Sequence, residues 1–213
     1  MGTINQGILG GFSGKVGNVI GGNWKGIDYM RIKPASVANP RTEGQVDQRT
    51  KFFTVLQFLQ PLKDFVKVGF KNYAIKMTQF NSVMSYNLLN AVEGDYPEIE
   101  IDFESVLLSR GGLASALNPT AAPGEGVINF TWIDNSGDGN AHAYDKAMLV
   151  VYNPAKKDAV YITEGVERST ESQSITIPDN YLGDTLFAFI SFISEDGKEL
   201  ANSLLVDEIN YTP

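Results

Sequence analysis

The sequence predicts an α+β protein: an N-terminal Gly-rich β-hairpin with a small helical bundle, followed by an antiparallel β-sandwich. Three observations lead to this prediction. Glycine is interleaved with large apolar residues over 1–33, and apolar residues recur mostly every three or four positions over 43–92. From 127 onward, short apolar runs alternate with turn residues, as in all-β domains.

These patterns also suggest where domains begin and end. Residues 111–126 contain four glycines, two prolines and mostly small residues between them, a composition typical of a linker. We therefore expect a hairpin and helical domain at 1–112, a linker at 113–126 and a β-sandwich domain at 127–213.

The N-terminal segment is predicted to form two strands, near 13–20 and 23–33. Paired glycines tolerate the positive φ of a tight turn, so the turn is placed at Gly21-Gly22. A flat, apolar, Gly-rich ribbon is suited to pairing with a neighbouring subunit, and the alternative is a hairpin that lies on helices of its own chain. The residues predicted to make the assembly contact are Gly10, Gly11, Phe12, Val16, Ile20, Trp24, Ile27 and Tyr29.

Three helices are predicted next. Thr42 and Gln45 form a capping-box pattern before a helix at about 43–60. Pro61 suits the first turn of a second helix, and Thr78 is placed at the start of a third. The apolar stripe expected to be buried on the first helix comprises Val46, Phe52, Phe53, Val55, Leu56, Phe58 and Leu59.

Strands are predicted for the remainder of the chain from apolar runs and turn residues. The expected strands are 99–108, 127–133, 146–153, 158–163, 173–177, 185–194 and 199–206. The six strands after residue 126 are enough for a sandwich.

Composition narrows the possible functions. The 213 residues include no cysteine, which excludes disulfides, thiolate metal sites and cysteine nucleophiles. No apolar run approaches the ~20 residues of a membrane span, and no cleavable signal peptide is visible. We expect no membrane insertion. The location is left open, with the cell surface, the extracellular space or a virion favoured.

Charge is distributed unevenly along the chain. Residues 1–80 contain eleven Lys and Arg but four Asp and Glu, a net charge of +7, whereas 81–213 contain six and 21, a net charge of −15. Such asymmetry is compatible with head-to-tail self-association, or simply with two differently charged surfaces. Nucleic acid is not expected as a partner, because the acidic part would repel phosphate and the basic residues are scattered.

One loop matches a metal-binding template. Asp134, Ser136 and Asp138 occupy positions 1, 3 and 5 of a calcium loop, with Gly139 at position 6 and Asp145 at position 12. Serine at position 3, Asp instead of Glu at position 12 and strand-like flanks depart from the template. Because Asp, Asn and Gly also favour ordinary turns, we expect no cofactor and keep calcium as the alternative.

Catalytic groups are sparse. His142 is the single histidine and lies in this polar loop, with no serine nucleophile motif in the sequence. Acidic residues alternate at Glu98, Glu100, Asp102 and Glu104. We interpret them as the solvent face of a strand, although a hydrolase would also use paired carboxylates. The protein is therefore expected not to be an enzyme.

Two resemblances add to these expectations. The segments Val127–Trp132, Ser174–Pro178 and Leu186–Ile190 resemble strands of a fibronectin type III or immunoglobulin-like module. The N-terminal half, through Gly7–Gly17 and Asn39-Pro40-Arg41-Thr42, resembles an uncharacterised bacterial family of unknown function, a resemblance that spans the chain and implies no known activity. The Asn-Pro-Arg-Thr segment before a helix also resembles segments of some phage-type structural proteins, a resemblance that implies an assembly role.

These observations favour a non-enzymatic structural subunit that self-assembles into an extracellular filament or a virion-like particle through its Gly-rich N-terminus. The expected partner is another copy of the chain. The alternative is a cell-surface adhesion module, or a carbohydrate- or protein-binding module, that uses the loops of its sandwich.

Overall fold

The computed structural model is α+β, with three α-helices and several antiparallel sheets in the residues that it describes. It describes residues 2–4, 10–24, 26–36, 39 and 41–212. The chain divides into two compact units, Met1–Arg41 and Thr42–Pro213. The helices therefore share a unit with the C-terminal sheets, whereas the sequence suggested a hairpin and helical domain at 1–112 separated from a sandwich at 127–213.

The N-terminal unit contains a four-stranded antiparallel sheet, which we call the ribbon. Its strands, in spatial order, are β1 (Thr3–Ile4), β2 (Phe12–Val16), β3 (Val19–Trp24) and β4 (Ile27–Ile32). Strand β2 pairs with β3 through Val16 and Val19, across a two-residue turn at Gly17-Asn18. Gly17 has φ +60°, which suits the first central position of such a turn.

The predicted turn at Gly21-Gly22 is wrong, because both glycines lie inside strand β3. Their role is to leave room for side chains of the flanking strands. A Cβ on Gly21 would lie 2.6 Å from Phe12 Cδ2, and one on Gly22 would lie 2.9 Å from the Tyr29 hydroxyl oxygen. The glycines therefore permit close packing over the sheet rather than reversal of the chain.

The second unit begins with three α-helices: α1 (Glu43–Leu59), α2 (Lys63–Gly69) and α3 (Gln79–Asn90). The three predicted helices are confirmed, although α2 begins at Lys63, so Pro61 precedes the helix instead of lying in its first turn. Thr78 caps α3, because its Oγ1 accepts a hydrogen bond from Asn81 N at 3.2 Å. Thr42 occupies the N-cap of α1, but its side chain makes no capping hydrogen bond, so the predicted capping box does not form.

The buried face of α1 is narrower than predicted. Val55, Phe58 and Leu59 are buried, whereas Phe52 and Phe53 are about half exposed, at 51% and 55%. The predicted stripe spans more than one face of the helix, and only its C-terminal part is covered by other elements.

Two antiparallel sheets follow the helices. The first has the order β10-β9-β12-β13 and the second has the order β11-β8-β7. Their bounds are β7 (Leu117–Gly124), β8 (Val127–Ile133), β9 (Lys146–Asn153), β10 (Asp158–Ile162), β11 (Ser172–Thr176), β12 (Thr185–Ile193) and β13 (Leu204–Asn210). The predicted strands match β8 to β12 closely.

The first sheet is covered on both faces. On one side, Ile128 and Phe130 of β8 share an apolar cluster with Leu149 and Val151 of β9. On the other side, residues of β9 pack with the helices, and Phe58 meets the ring of Tyr152 edge to face at 4.8 Å. The helices, the first sheet and the second sheet therefore form three successive layers, which explains why residues 147–152 of β9 are all apolar.

Three sequence predictions in this unit are wrong. The predicted linker 113–126 contains strand β7, which pairs with β8. The predicted strand at 99–108 is limited to β6 (Glu100–Ile101), paired with β5 (Val92–Glu93). The start of the predicted strand 199–206 makes two isolated bridges, Ile193 to Leu200 and Leu113 to Ala201, and the continuous pairing with β12 starts at Leu204.

Candidate functional site

The ribbon lacks a core of its own among its described residues. Gly21 is buried, but no large apolar side chain of the described part of this unit is. All six residues of β4 are exposed, including Ile27 at 71%, Met30 at 71% and Ile32 at 78%. A sheet of this size normally needs a packed apolar face to be stable. The exposed apolar surface of the ribbon is therefore the candidate interaction site of this unit.

Both faces of the ribbon carry apolar side chains. Side chains along a strand alternate between the two faces of the sheet. The register places Val19 beside Ile32 and Gly21 beside Met30, so these four residues share one face. The other face carries Ile20, with Lys15 beside it on β2 and Arg31 beside it on β4. This second face is thus both apolar and basic, and we call it the basic face.

The structure brings the predicted contact residues together in one sheet. Phe12 and Val16 lie on β2, Ile20 and Trp24 on β3, and Ile27 and Tyr29 on β4, while Gly10 and Gly11 precede β2. They are divided between both faces rather than gathered on one. Met30 and Ile32 were missed, although the apolar run over 27–32, interrupted by Asp28 and Arg31, is the signal that would have found them.

The turn between β3 and β4 is fixed by side-chain hydrogen bonds. Asn23 Nδ2 donates to Asp28 Oδ1 at 2.7 Å, and the backbone N–H of Gly26 donates to Asn23 Oδ1 at 3.0 Å. Gly26 has φ +86°, a conformation that glycine adopts without strain. These contacts hold β4 beside β3 and leave its outer edge without a strand partner in the described part of the unit.

The calcium-like loop is organised around an arginine. Arg168 is completely buried, and its Nη2 lies 3.1 Å from Asp145 Oδ2. Its Nη1 donates to Asn135 Oδ1 at 2.7 Å, and its Nη2 also donates to the Ala114 carbonyl at 2.9 Å. Burial lowers the pKa of the Arg168 guanidinium, and the charge of Asp145 opposes that shift. The positive charge beside Asp145 is thus supplied by the protein itself.

The remaining predicted calcium ligands lie at the surface of this loop. Asp134 accepts hydrogen bonds from the backbone N–H and the hydroxyl of Ser136, which lower the pKa of the Asp134 carboxyl. Asp138 is exposed. In the described residues, no group of three or more His, Cys, Asp or Glu is placed to hold a metal ion. Calcium binding, which would also use the Ser136 oxygen, stays a prediction.

His142 is exposed at the end of this loop, and its backbone N–H donates to Asp145 Oδ2 at 2.9 Å. It lines a cavity of about 430 Å³ together with Tyr144, whose side chain is 59% exposed. Ser194 lines the same cavity, but its hydroxyl donates to Asp196 rather than to the histidine.

The predicted acidic strand contributes to a different feature. Asp102 and Glu104 line one side of a groove of about 740 Å³, and Asp207 and Glu208 of β13 line the other side. We call this the acidic groove. Its apolar part includes Phe103 and Phe187, whose rings stack at 3.8 Å between centroids.

The described structure defines a class of α+β protein in which helices and a second sheet cover the two faces of one antiparallel sheet, preceded by a separate exposed ribbon. No helix within the described residues has the length and apolar character needed to span a bilayer. The family of unknown function DUF6266 matches residues 11–207, and the chain belongs to that family. This confirms the resemblance to an uncharacterised family. A comparison with curated proteins finds no match.

Proposed function

We propose that the chain is a non-enzymatic structural subunit that self-assembles through its ribbon. The observation that carries this proposal is the exposure of Ile27, Met30 and Ile32 on a sheet with no buried apolar side chain in its described part. Burying three such side chains against a partner would remove several hundred Å² of apolar surface from water, at about 25 cal/mol per Å². A second copy is the simplest partner that always accompanies this surface.

Charge supports association between copies. Residues 1–41 contain five Lys and Arg but one Asp, whereas 42–213 contain twelve Lys and Arg against 24 Asp and Glu. A basic ribbon and an acidic second unit attract each other when they belong to different copies, and head-to-tail contacts of this kind extend into filaments or close into rings. An extracellular filament or a virion-like particle is the assembly that we propose.

We also propose that the two C-terminal sheets are a module of the fibronectin type III or immunoglobulin type. Its support is the strand order: three strands, β7, β8 and β11, in one sheet and four, β10, β9, β12 and β13, in the other. Trp132 on β8 is buried, as expected of a core tryptophan in such a module. Here the module serves as a rigid body that presents the acidic surface.

The test is the association state of the full chain. Sedimentation velocity over a range of concentrations and salt, with negative-stain imaging, is expected to show concentration-dependent oligomers for the wild type. The Met30→Asp/Ile32→Asp variant should remain monomeric because it places charge on the exposed ribbon. The matched control is Ile75→Asp/Leu89→Asp, at equally exposed positions in the second unit, which should associate like the wild type. A wild-type chain that stays monomeric throughout would contradict the proposal.

A second candidate is a binding module for carbohydrate or protein. It is favoured by the exposed ring of Tyr144 beside Asn140 and Glu199 at the 430 Å³ cavity, since sugars are bound by aromatic faces flanked by amides and carboxylates. A glycan array with the wild type and Tyr144→Ala tests it. Signals that disappear in the variant would support this function, and an array without signals would count against carbohydrate.

A further inference from the structure

The acidic groove lies along an open edge of the first sheet. Strand β13 is the last strand of the order β10-β9-β12-β13. Strand β7 of the second sheet lies near it, but no strand of the described chain is hydrogen-bonded to the outer edge of β13. The groove runs between Ile101–Glu104 and Leu204–Glu208, and Leu205 and Phe187 contribute apolar surface to it. Open edges of this kind accept an additional strand in peptide recognition.

The groove has no counter-ion within the described protein. Four acidic residues line it, Asp102, Glu104, Asp207 and Glu208, and no Lys or Arg does. None of the four takes part in an ion pair with a described residue. Asp102 accepts a hydrogen bond from the backbone N–H of Glu104, and Asp207 accepts one from the backbone N–H of Glu208. The side chains of Glu104 and Glu208 make no hydrogen bond to a described residue. The groove therefore presents unneutralised negative charge over an apolar floor.

The ribbon has the complementary features. Strand β4 is also the last strand of its sheet, and its six residues extend over about 20 Å, which matches the seven residues of β13. The basic face next to that edge carries Lys15 and Arg31 around Ile20. Apolar and basic groups of the ribbon thus correspond to apolar and acidic groups of the groove.

We propose that strand β4 of one copy adds to the edge of β13 in a second copy, with Lys15 and Arg31 facing the carboxylates of the acidic groove. This inference rests on the proposed function and specifies the surface that receives the ribbon. Main-chain hydrogen bonds between the two edges supply affinity, and the paired charges select the register and the partner. The edge of β4 belongs to the ribbon and the acidic groove belongs to the second unit. The contact therefore joins two different surfaces, so it is heterologous and propagates from copy to copy.

Charge reversal tests the groove. Glu104→Lys/Glu208→Lys places like charges opposite the basic face, and we expect association in the full chain to weaken by about tenfold or more. Glu164→Lys/Glu167→Lys changes the net charge equally at exposed positions beyond strand β10, on the opposite edge of the sheet, and should associate like the wild type. Adding Lys15→Glu/Arg31→Glu to the groove variant should restore association by exchanging the charges.

Cysteine crosslinking tests the contact directly, because the chain has no cysteine of its own. Arg31→Cys and Glu208→Cys chains, mixed under mild oxidation, should give a heterodimer on non-reducing gels. Arg31→Cys mixed with Glu164→Cys should not.

The results separate the two proposals. If the wild type associates and Met30→Asp/Ile32→Asp abolishes association, but the groove variant behaves like its control and no heterodimer forms, the groove proposal is overturned and self-assembly through the ribbon stands. If the wild type does not associate at any concentration, both proposals fail.

Discussion

Arg168 and Asp145 form a buried ion pair, with Nη2 and Oδ2 separated by 3.1 Å and both side chains nearly inaccessible to solvent. The Arg168 guanidinium also lies over the ring of Phe192, 3.8 Å from its centroid. Trp132 Nε1 donates to the Arg168 carbonyl at 2.7 Å. Arg168 therefore contacts the core through its backbone and the loop after β8 through its side chain.

Replacing Arg168 by Met should lower the free energy of unfolding by about 3–5 kcal/mol, because Asp145 would be left buried without a compensating charge. Urea denaturation measures this change. The control is Arg110→Met: Arg110 is half-buried, its guanidinium lies 4.5 Å from the Tyr73 ring centroid, and it has no described ion pair, so the loss should be about 1 kcal/mol or less. A loss below 1 kcal/mol for Arg168→Met would contradict the prediction. Combining it with Asp145→Leu should recover part of the loss.

Thr78 and Thr42 occupy the N-cap positions of two helices and provide a matched pair. Thr78→Ala removes the hydrogen bond to Asn81 N and should cost about 1 kcal/mol. Thr42→Ala removes a side chain that makes no capping hydrogen bond, so its effect on the same denaturation curve should be close to zero. Equal losses for the two variants would show that the side chain of Thr78 does not act as a cap.

Gly21→Val tests the packing of the ribbon. The added side chain would collide with the Phe12 ring and with the Phe12 carbonyl oxygen, and should separate β2 from β3. Limited trypsin digestion should then cut faster at Lys15 and Arg31, because local opening exposes these sites. Gly44→Ala, on a helical glycine with no atom within 4 Å of the added Cβ, should leave these cleavage rates unchanged. Unchanged cleavage in Gly21→Val would refute the packing role assigned to this glycine.

Stability should fall in alkali through Tyr152. Burial raises the pKa of Tyr152 to about 12, whereas an exposed tyrosine titrates near 10. Below about pH 10 the phenol is protonated in the folded and unfolded chains, so its contribution to stability is fully present there. Between about pH 10 and 12 only the unfolded chain ionises, which lowers the free energy of unfolding by up to about 1.4 kcal/mol per pH unit.

Denaturation curves from pH 8 to 12 for the wild type and Tyr152→Phe measure this contribution. The phenylalanine ring can retain the edge-to-face contact with Phe58 while removing the titrating hydroxyl. The variant should therefore show a shallower alkaline loss. Identical curves would mean that Tyr152 ionises equally easily in the folded chain.

Local patterns predicted much of the second unit. The alternation at 127–133 and the turn residues between Asn153 and Asp158 define strands and a hairpin without reference to distant residues. Strand β7 was missed because Pro123 and Gly124, which normally interrupt strands, lie on an edge strand where a missing N–H is tolerated. The turn in the ribbon was misplaced because either Gly17 or Gly21-Gly22 satisfies the local rules.

The candidate sites were less accessible to sequence reasoning. In the sequence, Asp145 matches a calcium ligand. Nothing near it in the chain indicates that Arg168, 23 residues later, supplies its counter-charge. The acidic groove likewise joins residues 101–104 to β13, about 100 positions away, and depends on tertiary structure. The exposed apolar residues of β4 were predicted in part: Ile27 and Tyr29 belonged to the predicted contact, whereas Met30 and Ile32 did not.

The covering of the first sheet on both faces has an evolutionary consequence. Every residue from 147 to 152 on strand β9 is apolar and buried, so a polar replacement at any of these positions would meet either the helices or the second sheet. Among related sequences, β9 should therefore drift the least, and its changes should be exchanges among apolar residues of similar volume. The apolar side chains of the ribbon differ from those of β9 because they are exposed. If they are also retained across divergent relatives, the remaining physical reason for their retention is selection for contact with another molecule.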